Sequence, residues 1–244
     1  MRLSILSLAL LGALAGANIA SAAPLTISNV GGAGGWNNSV PGPGIDITNQ
    51  GGSLVDIIRW GSAVDGSNNQ SGYDFDPVDG SFNPVLGSAF LLGTFTHHNV
   101  AVFAPSLASV DYSFSFSTNG VPGSLSDTFS FIHDETTNAT PCPTGPPGTG
   151  ASVSVCDDFV TVSQIGINSL ITVGGDTYFF NLLGFSTNGG ATIKNVFQSP
   201  EGGNNSAGLY AMVTPVPVPE PSVFLLLLAG GAVVAIRRRQ HAAG

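Results

Sequence analysis

The sequence predicts an all-β protein: a β-sandwich of jelly-roll type, between an N-terminal signal peptide and one short C-terminal hydrophobic helix. Several stretches alternate apolar and small polar residues with a period of two, as half-buried strands do. Clusters of Gly, Asn, Ser and Asp separate these stretches, and some contain the Asn-Gly pair that favours tight hairpins. Lys, Arg and Glu, which favour helices, are scarce in the interior. Many short strands with frequent turns are typical of a sandwich.

The strand pattern recurs along most of the interior. In residues 110–116, Val, Tyr and Phe alternate with Asp and Ser, which places the apolar side chains on one face. The predicted strands are residues 54–60, 90–96, 110–116, 129–133, 159–162, 177–185 and 209–213. The predicted turns are residues 31–35, 65–69, 117–120, 186–190 and 201–205. The order of the strands in the sheets does not follow from this pattern.

The N-terminal end has the three parts of a secretory signal peptide. Arg2 supplies a positive charge, and residues 3–15 form an apolar stretch too short to cross a bilayer comfortably. A small-x-small cleavage site follows, in which Ala20 and Ala22 are the small residues. We therefore expect a signal peptide over residues 1–22.

The C-terminal end combines proline, apolar and basic segments. Its predicted parts are a proline-rich stalk (residues 215–221) that ends in Val218, Pro219, Glu220 and Pro221, a transmembrane helix (222–236), and a basic cytoplasmic tail (237–244) that begins near Arg237, Arg238 and Arg239. The apolar segment would form about 22 Å of helix. A hydrocarbon core is roughly 30 Å thick, so the segment is short for a permanent anchor. The arginines would stay in the cytoplasm, which leaves the preceding domain outside it.

These C-terminal parts, in this order, resemble the PEP-CTERM sorting signal of Gram-negative bacteria. The resemblance implies that the tail holds the protein in the inner membrane until exosortase, a membrane protease-transpeptidase, processes it near Pro-Glu-Pro. It also implies a final place in the periplasm, at the cell surface or in the extracellular matrix, because such proteins accompany exopolysaccharide and biofilm systems. An ordinary C-terminal anchor with a proline-rich stalk is the alternative.

The interior is expected to form one acidic domain over residues 24–214. No charge block, coiled-coil pattern or repeat of roughly 20–50 residues divides it. Between residues 24 and 219, two basic residues, Arg59 and Lys194, stand against fourteen acidic ones, which gives a net formal charge of −12. This excludes nucleic acid and anionic membranes as partners, because both require clustered Lys and Arg. Such a surface suits divalent cations or neutral sugars, and it equally suits solubility alone.

Two cysteines, Cys142 and Cys156, flank a stretch rich in Pro, Gly, Ser and Thr. In an oxidising compartment, two lone cysteines across a flexible loop are expected to form a disulfide. Closing a loop of about 15 residues would contribute about 3 kcal/mol in the chain-entropy model. A metal site at these cysteines would need further ligands of suitable spacing, which the surrounding sequence does not offer.

The interior also resembles the choice-of-anchor K domain. The resemblance rests on the order of the segments 59–61, 71–73, 92–99, 134–138, the Cys142 and Cys156 pair with Asp157-Asp158 after it, 183–185 and 201–209. Its best marker is Thr96-His97-His98-Asn99; the run Val100-Ala101-Val102 after it departs from the pattern of the family. The family implies a domain that occurs with different surface anchors and implies no biochemical activity.

Within that marker, His97, His98 and Asn99 are candidates for metal binding or general-base chemistry. Adjacent residues on a strand point to opposite faces, which makes the two histidines poor ligands for one ion. The alternative, which we favour, is a turn in which Asn99 or His97 forms hydrogen bonds with the backbone.

Short acidic segments supply candidates for calcium, which takes six to eight oxygen ligands. Asp74, Asp76 and Asp79 lie within six positions and precede a glycine, which makes them candidate calcium ligands. The alternative, which we favour, is a solvated acidic turn. Asp157 and Asp158 form a second, weaker candidate. No other cofactor is expected.

Catalytic signatures are missing from the sequence. Asp134 and Glu135 could mimic a glycosidase pair, but neighbours on a strand diverge, whereas a glycosidase needs two carboxylates that face each other. Gly-x-Ser-x-Gly, His-Glu-x-x-His and phosphate-loop motifs do not occur. The aromatic residues that could stack on sugar rings, or equally lie in the core, are Trp36, Trp60, Tyr73 and Tyr178.

These observations favour an exported, exosortase-sorted surface or matrix protein that is not an enzyme. Its expected role is structural or adhesive, in an exopolysaccharide or biofilm layer. The alternative is a carbohydrate-binding module or a sugar-active enzyme on the same β-sandwich. Exosortase, the inner membrane and exopolysaccharide are the partners expected.

Overall fold

The computed structural model describes residues 25–28, 35–41, 45–48, 55–67, 69–119, 121–165, 169–173 and 175–216. The predicted signal peptide (1–22), transmembrane helix (222–236) and basic tail (237–244) lie outside the described residues, as does the sorting motif. Across the described part of the chain, no helix is long and apolar enough to cross a membrane.

Two antiparallel seven-stranded sheets form the described part of the fold. The strands of the first sheet are β1 (Ile27–Ser28), β2 (Gly35–Val40), β7 (Ser81–Phe82), β10 (Ser109–Thr118), β11 (Val121–Asp134), β12 (Asp158–Ile165) and β15 (Val196–Ser199). Those of the second sheet are β3 (Ile45–Thr48), β4 (Asp56–Trp60), β6 (Ser71–Pro77), β8 (Ala89–Asn99), β13 (Ser169–Val173), β14 (Asp176–Ser186) and β16 (Gly203–Pro215). A separate two-stranded ribbon joins β5 (Ser62–Ala63) and β9 (Val102–Phe103).

The order of the strands explains which residues meet. The first sheet runs β15-β12-β11-β10-β1-β7, and β2 also pairs with β10. The second sheet runs β13-β14-β16-β8-β6-β4-β3. Strands β8 and β16 are therefore central in one sheet, while β11 and β12 are central in the other.

Aromatic side chains fill the space between the sheets. Phe95 on β8 stacks on Phe131 of β11, with ring centroids 5.5 Å apart. Phe75 on β6 lies 4.7 Å from the ring of Tyr112 on β10. These contacts join the inner faces of two curled sheets, so the predicted all-β, sandwich-like fold is confirmed.

Six of the seven predicted strands lie within observed strands, because period-two alternation with one buried face is a local signal. The seventh, 54–60, agrees with β4 from Asp56 onward. The predicted Asn119-Gly120 hairpin is also confirmed: Thr118 at the end of β10 pairs with Val121 at the start of β11. Nine of the sixteen strands in the described residues were not predicted: β1, β2, β3, β5, β6, β7, β9, β13 and β15. The segment 74–80, interpreted as an acidic loop or turn, is instead partly strand, because β6 extends to Pro77.

The predicted disulfide between Cys142 and Cys156 is confirmed, with the two Cα atoms 5.2 Å apart. Cys156 is fully buried, and its carbonyl oxygen lies 3.0 Å from the hydroxyl of Thr136. The bridge therefore ties the segment after β11 to the residues that lead into β12.

Replacing both cysteines by alanine should lower the free energy of unfolding by about 3 kcal/mol, because the unfolded chain loses a covalent loop closure. Urea unfolding of the oxidised protein and of the double variant measures the difference. Reduced wild-type protein is the matched control and should behave like the double variant. Equal midpoints for all three samples would contradict this prediction.

Candidate functional site

A cluster of polar side chains brings together residues from both sheets. The last residues of β8 contribute His97 and Asn99, and β11 contributes His133. Asp158 is the first residue of β12, and Glu201 lies in the turn between β15 and β16. Residues far apart in sequence meet here because β12 lies between β11 and β15 in one sheet, while β8 pairs with β16 in the other.

Three carboxylates form the centre of this cluster. Glu135, Asp158 and Glu201 each offer one oxygen atom, and these atoms all lie within 4.8 Å of one another. Asp158 is fully buried, while Glu135 and Glu201 are partly exposed. We refer to these three residues as the carboxylate triad.

Two adjacent aspartates differ sharply in how their oxygens are used. Asp157 accepts hydrogen bonds from Ser154 N (2.9 Å), Val153 N (3.0 Å) and Gln198 Nε2 (2.7 Å). Burial alone would raise the pKa of Asp157, but these hydrogen bonds, with that of the Ser154 hydroxyl, lower it. Asp157 is therefore a satisfied structural residue.

Asp158 lacks this full set of partners. Its Oδ1 accepts a hydrogen bond from Thr136 N at 2.8 Å, and the Thr136 hydroxyl lies 3.1 Å away. Its Oδ2 is buried and has no hydrogen-bond partner. A buried carboxylate oxygen is costly without a partner, so this atom calls for a proton, a water molecule or a ligand.

A hydrogen-bonded chain orients Glu135. Tyr73 OH lies 2.5 Å from His133 Nδ1, and His133 Nε2 lies 3.1 Å from Glu135 Oε2. Burial, and then the charges of Asp158 and Glu135, raise the pKa of Tyr73 well above its ordinary value, so Tyr73 keeps its proton. The chain therefore runs from Tyr73 through His133 to the Glu135 carboxylate, and it holds that carboxylate in place.

His97 is buried beside this chain. Its Nδ1 lies 2.8 Å from Ser199 Oγ, and its Nε2 lies 3.4 Å from Ser71 Oγ. Burial, followed by the influence of His133, lowers the pKa of His97 well below its ordinary value, which keeps the ring neutral. His97, His133 and Asp158 form a second group whose potential ligand atoms lie within 4.8 Å of one another.

Asn99 supplies a further buried oxygen. Its Nδ2 donates to the carbonyl oxygen of Ser199 at 3.0 Å, while its Oδ1 is buried without a hydrogen-bond partner. The Asn99 side chain contacts Glu201, whose Oε1 is also buried and without a partner. Three unpartnered oxygen atoms, from Asn99, Asp158 and Glu201, thus belong to one cluster.

The carboxylate triad is electrostatically strained in the absence of a positive charge. Burial, and then the negative charge of Glu135, raise the pKa of Asp158 to about 7. The same two causes raise the pKa of Glu201 to about 7. Close carboxylates can relieve such repulsion by holding protons or by binding a cation.

A groove of about 1140 Å³ opens beside the triad. Its lining includes Arg59, Gln70, Asn138, Asn204 and Glu201. Because Glu201 belongs both to the groove and to the triad, the groove adjoins the cluster.

The structure places His97 and His98 on opposite faces of β8, as expected for adjacent strand residues. His98 lies outside the cluster and contacts Asn204 Oδ1 at 2.8 Å and Asp74 Oδ2 at 2.7 Å. The interpretation of this marker as a turn is wrong, because β8 extends through Asn99 and pairs with β16. Asn99 does form the expected hydrogen bond with the backbone.

The predicted calcium ligands Asp74, Asp76 and Asp79 are placed differently from a loop site. Asp74 and Asp76 lie on the outward face of β6, and Asp79 lies in the turn after that strand. Asp74 already forms an ion pair with Arg59 at 2.7 Å. Calcium binding by these three residues stays a prediction.

Burial decides where the remaining candidate residues, the Asp134 and Glu135 pair and the four aromatic residues, lie. Asp134 is exposed, whereas its neighbour Glu135 belongs to the triad, so the two side chains diverge as expected. The four aromatic residues considered for sugar stacking lie in the core: Trp36, Trp60, Tyr73 and Tyr178.

Sequence reasoning missed His133 and Glu201 as members of a site. His133 sits in the alternating pattern of β11, where it occupies a position of the buried face, and this is the one local signal that could have marked it. Glu201 lies in a predicted turn with nothing nearby in sequence to distinguish it.

The fold and the cluster define an acidic, all-β, sandwich-like domain with a polar site. Comparison with protein families adds that residues 217–240 match the PEP-CTERM protein-sorting motif. The chain is therefore an exported protein with a membrane-associated C-terminal sorting signal of the kind that exosortase processes. No curated protein matches the sequence.

Proposed function

We propose that the chain is a non-enzymatic surface or extracellular-matrix protein with a structural or adhesive role in an exopolysaccharide or biofilm layer. The observation that carries this proposal is the sorting motif at residues 217–240, which follows β16 almost directly. In this arrangement the β-domain is the delivered product, and the tail is a temporary address.

The finer assignments belong to the same proposal. Residues 1–22 act as the signal peptide, and residues 222–236 hold the chain in the inner membrane before processing. Residues 24–214 form a choice-of-anchor K domain with a jelly-roll arrangement of strands. The order of the sequence segments supports this, and the two-sheet architecture is compatible with it.

A structural role is supported by how the domain is built. The core is rich in aromatic side chains that join both sheets, and a disulfide closes the segment after β11. With a net formal charge of −12 over residues 24–219, from two bases and fourteen acids, the delivered domain would stay soluble and hydrated among neutral polysaccharides.

Loss of exosortase should leave the full-length chain in the inner-membrane fraction. In the intact host, the shortened chain should instead appear at the surface or in the matrix, because processing removes the apolar segment that holds it. Fractionation followed by intact mass measurement checks both the location and the cleavage.

Replacement of Pro219, Glu220 and Pro221 by alanine should reproduce the exosortase-deficient pattern. Pro215→Ala, which alters an exposed proline just before the matched residues 217–240, is the matched control and should be sorted normally. Processing by exosortase would be contradicted if the triple variant, and the wild-type chain in the exosortase-deficient strain, were distributed between the fractions like the wild-type chain in the intact host. The proposed role in the exopolysaccharide layer would be contradicted if the sorted chain stayed in the same fraction when polysaccharide synthesis is blocked.

A carbohydrate-binding or sugar-active function is the second candidate, and the groove favours it. Amide, guanidinium and carboxylate groups line the groove, and such groups bind sugar hydroxyls. Stacking on Trp36, Trp60, Tyr73 or Tyr178 does not contribute, because these side chains are in the core. Binding to a glycan on an array, abolished by Asn204→Ala, would favour a carbohydrate-binding module. Hydrolysis of the host polysaccharide would favour a sugar-active enzyme.

A further inference from the structure

We propose that the carboxylate triad, Glu135, Asp158 and Glu201, binds a divalent cation of the hard, oxygen-preferring class, with Ca²⁺ as the expected ion. The geometry is suitable, because one oxygen from each residue lies within 4.8 Å of the others. Oxygen ligands of Ca²⁺ lie about 2.3–2.6 Å from the ion. Two oxygens on opposite sides of the ion are therefore separated by about twice that length, which is close to the 4.8 Å within which the triad oxygens lie.

Buried oxygens without partners are the second, independent reason. Asp158 Oδ2 and Asn99 Oδ1 belong to fully buried side chains and have no hydrogen-bond partner. A native protein satisfies nearly all such atoms, and exceptions call for a ligand or a bound ion. A cation at the triad would satisfy Asp158 directly, and Asn99 contacts Glu201 beside it.

The histidines are better suited to support this site than to hold a transition metal. His133 uses Nδ1 toward Tyr73 and Nε2 toward Glu135, at 2.5 and 3.1 Å. His97 uses Nδ1 toward Ser199 at 2.8 Å. Imidazole nitrogens attract Zn²⁺ and its relatives when they are free, whereas the unpartnered atoms of this cluster are oxygens. A hydrogen bond of this kind, from His133 to Glu135, orients the carboxylate that would bind the ion.

Charge and access also favour a cation. The triad carries three acidic groups in a domain with two basic residues, and one of those, Arg59, is already paired with Asp74. Lys194 donates to the carbonyl oxygen of Gly148 at 2.7 Å. Glu201 lines the open groove, through which an ion and its remaining water ligands can enter.

The decisive experiment uses the full chain, exported from its own signal peptide, purified in mild detergent and stripped with EDTA. Addition of CaCl₂ at about one hundred times the Kd should raise the Tm by about 5 °C or more, because the ion binds the folded state alone. Tb³⁺, a luminescent substitute for Ca²⁺, should give emission sensitised by Trp60 and Tyr73. Their rings lie 5.3 and 5.7 Å from that of His133.

Isosteric variants locate the ion. Glu135→Gln and Glu201→Gln should each lower the affinity for the ion at least tenfold. This affinity is obtained from the Ca²⁺ concentration that raises the Tm and from the Tb³⁺ concentration that gives emission. Asp134→Asn removes the same charge from the adjacent, exposed residue and should bind like wild type. Without metal, the Glu135→Gln and Glu201→Gln variants should have a Tm no lower than that of wild type, because each removes a repulsion between carboxylates of the triad. An unchanged or higher Tm also shows that both variants fold.

Three results would overturn the proposal. One is a Tm that Ca²⁺ leaves unchanged, with no Tb³⁺ emission. Another is binding that survives in both Glu variants but disappears in Asp76→Asn/Asp79→Asn, which would place the ion at the outer face of β6. The last is stabilisation by Zn²⁺ and not by Ca²⁺, which would assign the cluster to His97, His133 and Asp158.

Discussion

Phe95→Ala should lower the free energy of unfolding by about 3–5 kcal/mol. Phe95 is fully buried on the central strand β8 and stacks on Phe131 of the opposite sheet at 5.5 Å. Its ring also lies 5.2 Å from Phe185 and 4.8 Å from Tyr73. Alanine would leave a cavity that the rigid strands around it cannot close, so both the transfer energy and the packing contacts are lost.

Equilibrium unfolding in urea measures this loss. Phe103→Ala is the matched control, because Phe103 is 59% exposed and its removal should change stability by about 0.5 kcal/mol or less. Since Phe95 precedes His97 by two positions and shares its inward face, the variant should also weaken cation binding. A loss below about 1 kcal/mol for Phe95→Ala would show that the two sheets do not depend on this contact.

Gly184→Ala should be nearly as damaging, at about 4 kcal/mol. Gly184 adopts a φ of +123°, and a Cβ atom there would lie 2.2 Å from the carbonyl oxygen of Lys194. That oxygen accepts a hydrogen bond from Phe185 N at 2.7 Å, so the added methyl group would break the bridge between the two segments. Backbone strain of about 1–3 kcal/mol and an unpaired polar group of about 1–3 kcal/mol add together.

Gly189→Ala separates these two effects. Gly189 also has a positive φ, of +69°, but a Cβ atom there would meet nothing within 4 Å. The control should therefore lose only about 1–2 kcal/mol, from the left-handed backbone conformation. Thermal unfolding of the two variants side by side checks the difference. Equal losses would show that the close approach of Lys194 has no energetic weight.

Much of the fold could be predicted from local pattern. Alternation located the strands around Phe114 and Phe131, and the Asn119-Gly120 pair located the hairpin between β10 and β11. The pairing of Cys142 with Cys156 followed from the number of cysteines and the compartment. Strand β2 escaped prediction because its sequence, Gly-Trp-Asn-Asn-Ser-Val, is mostly polar and its Trp36 is buried without an alternating partner.

The site could be predicted only in part, because its members come together through strand order. Asp158 was a candidate for calcium, and His97 was a candidate ligand, but each was considered with its sequence neighbour. The neighbours Asp157 and His98 point to other partners. The actual companions, His133, Glu135 and Glu201, come from β11, the segment after it and the turn before β16, and no local pattern links these positions.

The position of β16 has a mechanical consequence under the proposal that the C-terminal segment holds the protein before processing. This strand, Gly203–Pro215, pairs with β14 on one side and β8 on the other, and the sorting motif begins within a few residues of its end. A pull on the tail therefore acts along the axis of a central strand. Its hydrogen bonds to both neighbours run perpendicular to the strand, so they share the load in shear instead of opening one after another. An edge strand in the same place would have hydrogen bonds to one neighbour only, so it would share such a load less widely.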